Sequence, residues 1–81
     1  MHELSLARGL VDQLQELARA HEAEKIFQVR VNIGRASGIV VDSFVFGFDA
    51  IKMDLPLTAP AILKINEVDG PDLMLMQVEM E

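Results

Sequence analysis

The first three residues, Met1-His2-Glu3, carry several groups that can bind a metal ion. A free α-amine at Met1, the next amide nitrogen and the His2 imidazole can close chelate rings around one ion. Glu3 can complete the site through its main-chain nitrogen or its carboxylate. Nitrogen-rich, square-planar sites of this kind suit Ni(II) and Cu(II). Because the amine and the imidazole bind only when neutral, the metal affinity is expected to fall as the pH drops.

The alternative interpretation of His2 is an exposed residue in the first turn of a helix, since a lone histidine is a weak motif. His21 is the only other histidine, and it is predicted to lie on the surface where the first helix ends. No G-x-S-x-G motif is present, and the carboxylates are scattered without pairing. The sequence therefore predicts a protein that is not an enzyme.

The composition indicates one small domain in the 81 residues, with 51% hydrophobic residues and no cysteine. A disulfide framework and a thiolate metal site are thus excluded. The formal net charge of −6 disfavours nucleic acid and anionic membranes as partners, because both require a basic surface. No apolar run approaches the ~20 residues that span a bilayer, and no signal-peptide pattern is evident. The expected location is the cytoplasm.

The spacing of apolar residues predicts a first helix over residues 3–21. Glu3 lies in its first turn, where a carboxylate favours the positive end of the helix dipole. Gly9 is unusual inside a helix and is interpreted as allowing a close packing contact. The apolar stripe that should face the core comprises Leu4, Ala7, Leu10, Val11, Leu14, Leu17 and Ala18.

Strict alternation predicts a strand over residues 26–33, whose buried face should carry Phe27, Val29, Val31 and Ile33. A glycine-containing loop follows at 34–38.

A second helix is predicted over residues 42–54, with Asp42 as its N-cap. Phe44, Phe46 and Phe48 should supply much of the core volume from this helix. Pro56 should end it.

Residues 61–68 and 73–80 are predicted to form two antiparallel strands joined by a tight turn at 69–72. Leu73 and Leu75 share one parity in the last strand, and Val78 and Met80 share the other. A bulge near Met76 and Gln77 would place both pairs on one face. The alternative is that both faces of this strand are partly covered. The complete prediction is an α+β fold of order α-β-α-β-β, in which two helices cover one face of a three-stranded mixed sheet.

The N-terminal Met-His-Glu-Leu-Ser-Leu-Ala at 1–7 resembles the signature of the HypA/HybF nickel-incorporation proteins of hydrogenase maturation. The resemblance extends through Val29 to Gly34, Phe46 to Asp49, and both closing strands. It implies that residues 1–81 form a single HypA-like nickel-binding domain, which binds Ni(II) through His2, in part Glu3, and the Met1 amine. The implied function is a metallochaperone for nickel enzymes, chiefly [NiFe]-hydrogenase.

The resemblance departs from the family pattern at one place. The family inserts a zinc domain with two Cys-x-x-Cys pairs between the last two strands, whereas here only residues 69–72 connect them, so no zinc is expected. The implied partners are a maturation GTPase of the HypB type and the large subunit of nickel hydrogenase. The alternative is a protein-interaction module without zinc or metal delivery, which acts through its sheet face or associates with itself through an edge strand.

Overall fold

The computed structural model describes residues 2–81 and contains two helices and three strands in the predicted order. No helix within these residues combines the length and the apolar character needed to cross a bilayer. The elements are α1 (Glu3–Ala20), β1 (Ile26–Gly34), α2 (Val41–Lys52), β2 (Ile62–Val68) and β3 (Leu73–Met80).

The sheet has the strand order β2-β1-β3, which confirms the predicted mixed sheet. The connection between β2 and β3 differs from the prediction. β1 pairs parallel with β2 and antiparallel with β3. The parallel β1–β2 pair requires the crossover that α2 provides. The last two strands do run in opposite directions, but the predicted hairpin between them is wrong, because β1 lies between them.

The short connection 69–72 therefore passes over the end of β1, and Gly34 makes this crossing feasible. A Cβ at residue 34 would lie 2.0 Å from the Gly70 carbonyl oxygen. Two main-chain hydrogen bonds join the end of β1 to the connection at this crossing. The Gly34 N–H donates to the Asp72 carbonyl at 2.8 Å, and the Ala36 N–H donates to the Gly70 carbonyl at 2.9 Å. Gly70 itself has a φ of +115°, which favours glycine.

The core lies between the helices and β1, and most of the predicted apolar faces meet there. Two exceptions are Leu4 of α1, which is 63% exposed, and Phe27, which is 41% exposed while Ile26 is fully buried in its place. The register with β3 shifts between Ile26 and Gln28, so Phe27 is an extra residue that turns outward. The buried set comprises Ala7, Leu10, Val11, Leu14, Ala18, Ile26, Val29, Val31, Ile33, Phe44, Phe48, Ile51 and Ala61.

The bulge predicted in the last strand is confirmed. Arg30 and Val31 are consecutive in β1, yet their partners in β3 are Gln77 and Leu75, which leaves Met76 unpaired. Leu73, Leu75, Val78 and Met80 of β3 consequently share the face toward the helices. Met74 and Met76 lie on the other face and are 54% and 50% exposed, so that face is covered only in part, as the alternative prediction has it.

α2 differs from its prediction at its start and on one face. Its N-cap is Val40, not Asp42, which lies in the first turn. Phe46 is 76% exposed and therefore does not belong to the core. Gly47 makes the close contact between the helices, since a Cβ there would lie 3.5 Å from the Cβ of Ala7. Gly9, for which that role was predicted, has no atom within 4 Å of an added Cβ.

Candidate metal centre

His2 is exposed at the N-cap position of α1. Its carbonyl accepts the N–H of Leu6 at 2.9 Å, which fixes the main chain at the helix start. Its imidazole does not cap the helix, so this side chain is not committed to closing the first turn. The N–H groups in the first turn of a helix have no intrahelical partner. Main-chain nitrogen and an accessible imidazole are thus adjacent here, while Met1 lies outside the described residues.

Glu3 lies beside His2 in the chain but in a very different environment. Its side chain is buried, and Oε2 accepts the main-chain N–H of Val40 at 3.0 Å. Val40 has no polar side chain of its own with which to cap α2, and the carboxylate from α1 binds an amide at that end. This hydrogen bond lowers the pKa of the Glu3 carboxyl from its ordinary value, and burial opposes the shift in part. The carboxylate of Glu3 therefore joins the two helices.

A cleft of about 280 Å³ opens in front of these two residues. Pro71, Asp72 and Leu73 also line this cleft, because the connection over the end of β1 brings residues 69–72 near the start of α1. Sequence reasoning did not assign Asp72 to the site. The turn motif around it was evident, but nothing in the motif revealed that the turn crosses β1.

Side chains alone do not form a metal site here. Within residues 2–81 no group of three or more His, Asp and Glu residues is close enough to hold an ion. His21 is exposed at the C-cap of α1, at the opposite end of the helix from His2, as the sequence predicted. The structure brings together His2, Glu3 and Asp72 in one cleft and keeps the second histidine apart.

Comparison with known proteins agrees with the resemblance in the sequence. A family model described as "Hydrogenase/urease nickel incorporation, metallochaperone, hypA" matches residues 1–71. The hydrogenase maturation factor HypA of Xanthobacter autotrophicus is 37% identical over 70 residues, which cover 86% of this chain and 61% of that protein. The HypA of Alkalilimnicola ehrlichii is 37% identical over 54 residues, or 67% of this chain and 48% of that protein. The chain thus spans about half to three-fifths of these two relatives.

The HypA of Shewanella baltica is aligned along nearly its whole length. It is 28% identical over 113 positions, which include 100% of this chain and 97% of that protein. Since the chain has 81 residues, that relative contains residues with no counterpart here. Metallochaperones carry metal ions, so the matching family is not one of catalysts.

Two solved structures share the fold. The solution structure of the Ni metallochaperone HypA from Helicobacter pylori superposes with a TM-score of 0.77 at 19% identity, covering 98% of this chain and 92% of that one. A second solution structure of a HypA protein gives a TM-score of 0.83 at 23% identity, with coverage of 100% and 97%. At such identities the structures establish the fold, and the family follows from the sequence matches. This chain belongs to the HypA family of hydrogenase and urease nickel-incorporation proteins.

Proposed function

We propose that the protein is a cytoplasmic nickel carrier that binds one Ni(II) at its N-terminus and releases it to a partner in the maturation of a nickel enzyme. The observation that supports this most strongly is the exposed His2 at the start of α1, within the residues that match the family model. The nickel ion is cargo, so the site needs to be selective and accessible, not enclosed. An open cleft that a competing ligand can enter meets that requirement.

The proposed ligands are the His2 imidazole, the α-amine of Met1 when it is free, and main-chain nitrogen. Glu3 contributes through its main chain, because its carboxylate already accepts the Val40 N–H. Deprotonated amide nitrogen is a ligand that favours square-planar Ni(II) and Cu(II) over metals that prefer oxygen. We infer that the carboxylate of Glu3 acts indirectly, by fixing the first turn of α1 from which the main-chain ligands project.

The partners proposed from the family are a GTPase of the HypB type and the large subunit of a nickel hydrogenase. A transfer mechanism would follow from the exposure of the site, since the partner's ligands could replace those of the carrier one at a time. No zinc is proposed as a structural ion, because the chain contains no cysteine and residues 69–72 replace the expected insertion.

Isothermal titration of untagged protein with Ni(II) tests the site. We expect roughly one ion per chain, loss of binding in His2→Ala, and unchanged binding in the matched control His21→Ala. The two histidines are separated by the length of α1, about 27 Å at 1.5 Å per residue. The control His21→Ala therefore removes a histidine without changing the proposed nickel site. Binding that survives His2→Ala would refute the proposal.

The contributions of Met1 and Glu3 are separated by two further titrations. A peptide extension before Met1 should weaken binding strongly, because it converts the amine into an amide. Glu3→Gln should bind Ni(II) nearly as well as the wild type, since the main-chain nitrogen is retained. If Glu3→Gln instead abolished binding in a folded protein, the carboxylate would be a direct ligand and the main-chain assignment would be wrong.

A further inference from the structure

Two adjoining clefts between α1 and β3 share lining residues, and together they are here called the seam groove. Its first section has a volume of about 220 Å³ and lies between Leu6 and Leu75. The next section has about 370 Å³ and continues from Leu17 to Met80, and both sections share Gln13 and Leu75. Toward the start of α1 the groove meets the cleft in front of His2 through the shared Leu6 and Leu73.

The seam groove exists because the helix layer does not fully cover β3. The β3 side chains that face the helices are only half-buried, whereas those of β1 on the same face are fully buried. A two-layer fold is expected to bury this face. One more strand beside β3 would place its inward side chains against α1 and complete the layer. The half-buried side chains are Leu73, Leu75, Val78 and Met80.

The outer edge of β3 is also open to such a strand. Within residues 2–81, β3 pairs only with β1, so the hydrogen-bonding groups on its other edge have no strand partner. The edge strand β2 contains Lys64 and Glu67, which are the kind of charges that discourage edge pairing. β3 contains Glu79 as its single charged residue and no proline. Of the two edges, β3 is the one suited to accept a strand.

The charges along the seam groove indicate what kind of strand fits. Glu3 and Asp72 lie where the groove meets the cleft, and Glu79 and Glu81 lie at its other end. The section between Leu6 and Leu75 has no charged lining residue. A second copy of this chain paired through β3 would oppose acidic ends to acidic ends in the antiparallel orientation. A segment that is basic at both ends and apolar between them complements the groove.

We propose that the seam groove binds an extended segment of another protein, which adds to β3 as a fourth strand. The segment carries apolar side chains at alternate positions, which enter the groove, and a Lys or Arg at each end. Its main chain supplies hydrogen bonds along β3 while the pockets beside α1 select the side chains. The proposal does not depend on nickel, although a bound segment would end beside His2.

The test uses the synthetic peptide acetyl-Lys-Val-Thr-Val-Ser-Val-Thr-Val-Lys-amide, which spans about 30 Å when extended and so matches the length of β3. Titration into isotope-labelled, metal-free protein should shift the amide resonances of β3 and slow the hydrogen exchange of its edge amides. A peptide with Glu in place of both Lys residues should bind about tenfold more weakly, because each exposed attractive pair contributes little and is replaced by a weak repulsion.

Gly9 offers a variant that blocks the groove without threatening the fold. It lines the first section of the groove, and a Cβ there meets no atom within 4 Å. Gly9→Trp should fill this section and abolish peptide binding, while the matched Gly9→Ala should bind as the wild type does. Both variants should fold, since either residue favours a helix more than glycine does.

Three outcomes would overturn the proposal. Resonance shifts confined to the outer sheet face or to α2 would place the peptide elsewhere. Equal binding by Gly9→Trp and Gly9→Ala would exclude the groove. A stable dimer of the free protein, seen by light scattering and broken by Gly9→Trp, would identify the occupant as a second copy of this chain.

Discussion

The Glu3 carboxylate in the first turn of α1 accepts the main-chain N–H of Val40, at the N-cap of α2, over 3.0 Å. The two helix starts are thereby joined by a charged hydrogen bond in a buried position. A hydrogen bond to an ionised acceptor is stronger than one between neutral groups. The residue that follows the proposed nickel ligand His2 is therefore a structural residue of the domain.

This bond predicts a specific dependence of stability on pH. The pKa of Glu3 is lower in the folded protein than its ordinary value of 4.5, with the Val40 hydrogen bond as the main cause. Folding thus favours the ionised form. The resulting stabilisation is fully present above pH 4.5 and is lost as the pH falls through the lower, folded-state pKa.

Glu3→Gln isolates this contribution, because the amide keeps the shape of the side chain but carries no charge. We expect its melting temperature at pH 7 to be lower than that of the wild type. The difference should shrink as the pH falls below 4.5 and through the lower, folded-state pKa of Glu3. Thermal denaturation followed by circular dichroism from pH 3 to 7 measures this. A difference that stays constant with pH would show that the charge of Glu3 is irrelevant.

Gly34 is predicted to be the glycine that the fold tolerates least. In Gly34→Ala the new methyl group would lie on the Gly70 carbonyl, and neither main-chain segment can move without breaking the bonds at the crossing. We expect a loss of on the order of 3 kcal/mol or more in the free energy of unfolding, measured by urea denaturation.

The matched control is Gly9→Ala, the same chemical change at an exposed helical position with open space around it. It should gain up to about 1 kcal/mol, because alanine favours the helix. Were Gly34→Ala as stable as the wild type, the close approach to Gly70 would not exist in solution.

The contrast between these two glycines illustrates what could be predicted from the sequence. The elements, their order and the mixed sheet follow from periodicity, and even the bulge at Met76 follows from the parity of apolar residues in β3. The sequence singled out Gly9 because a glycine inside a helix is conspicuous. Gly34 and Gly47 mattered more, but their roles depend on which segments pass nearby, and periodicity carries no such information.

The same limit applies at the candidate site. Met1, His2 and Glu3 are predicted as ligands from their chemistry and from the family resemblance, and neither reveals that α2 begins beside Glu3. The bond from Val40 joins residues that are 37 positions apart in the chain. The hairpin error has the same origin, because a turn motif fixes a reversal of direction but does not fix which strands are neighbours.

Thr58 is predicted to stabilise the end of α2. It is fully buried, and its hydroxyl donates to the Lys52 carbonyl at 2.8 Å, which satisfies one of the acceptors left free at a helix C-terminus. Thr58→Val keeps the shape but leaves that carbonyl with only the longer hydrogen bond from the Leu55 N–H, at 3.4 Å, so we expect a cost of about 1 kcal/mol.

Thr58→Ser, which retains the hydroxyl, separates the hydrogen bond from packing. The carbonyl carbon resonance of Lys52 should shift in Thr58→Val and stay near its wild-type position in Thr58→Ser, whatever stability the lost methyl group costs. A Lys52 resonance unchanged in both variants would mean that this hydrogen bond is not formed.

Phe46 and Phe48 lie two positions apart in α2. The same change to alanine should lower the free energy of unfolding strongly at one position and hardly at the other. Phe48 is fully buried, so Phe48→Ala should lower the free energy of unfolding by about 3–5 kcal/mol. Phe46 is 76% exposed, so Phe46→Ala should change it by no more than about 0.5 kcal/mol. Urea denaturation at two protein concentrations measures both effects. A large loss for Phe46→Ala that depends on concentration would show that another chain covers this ring, because only association makes stability depend on protein concentration.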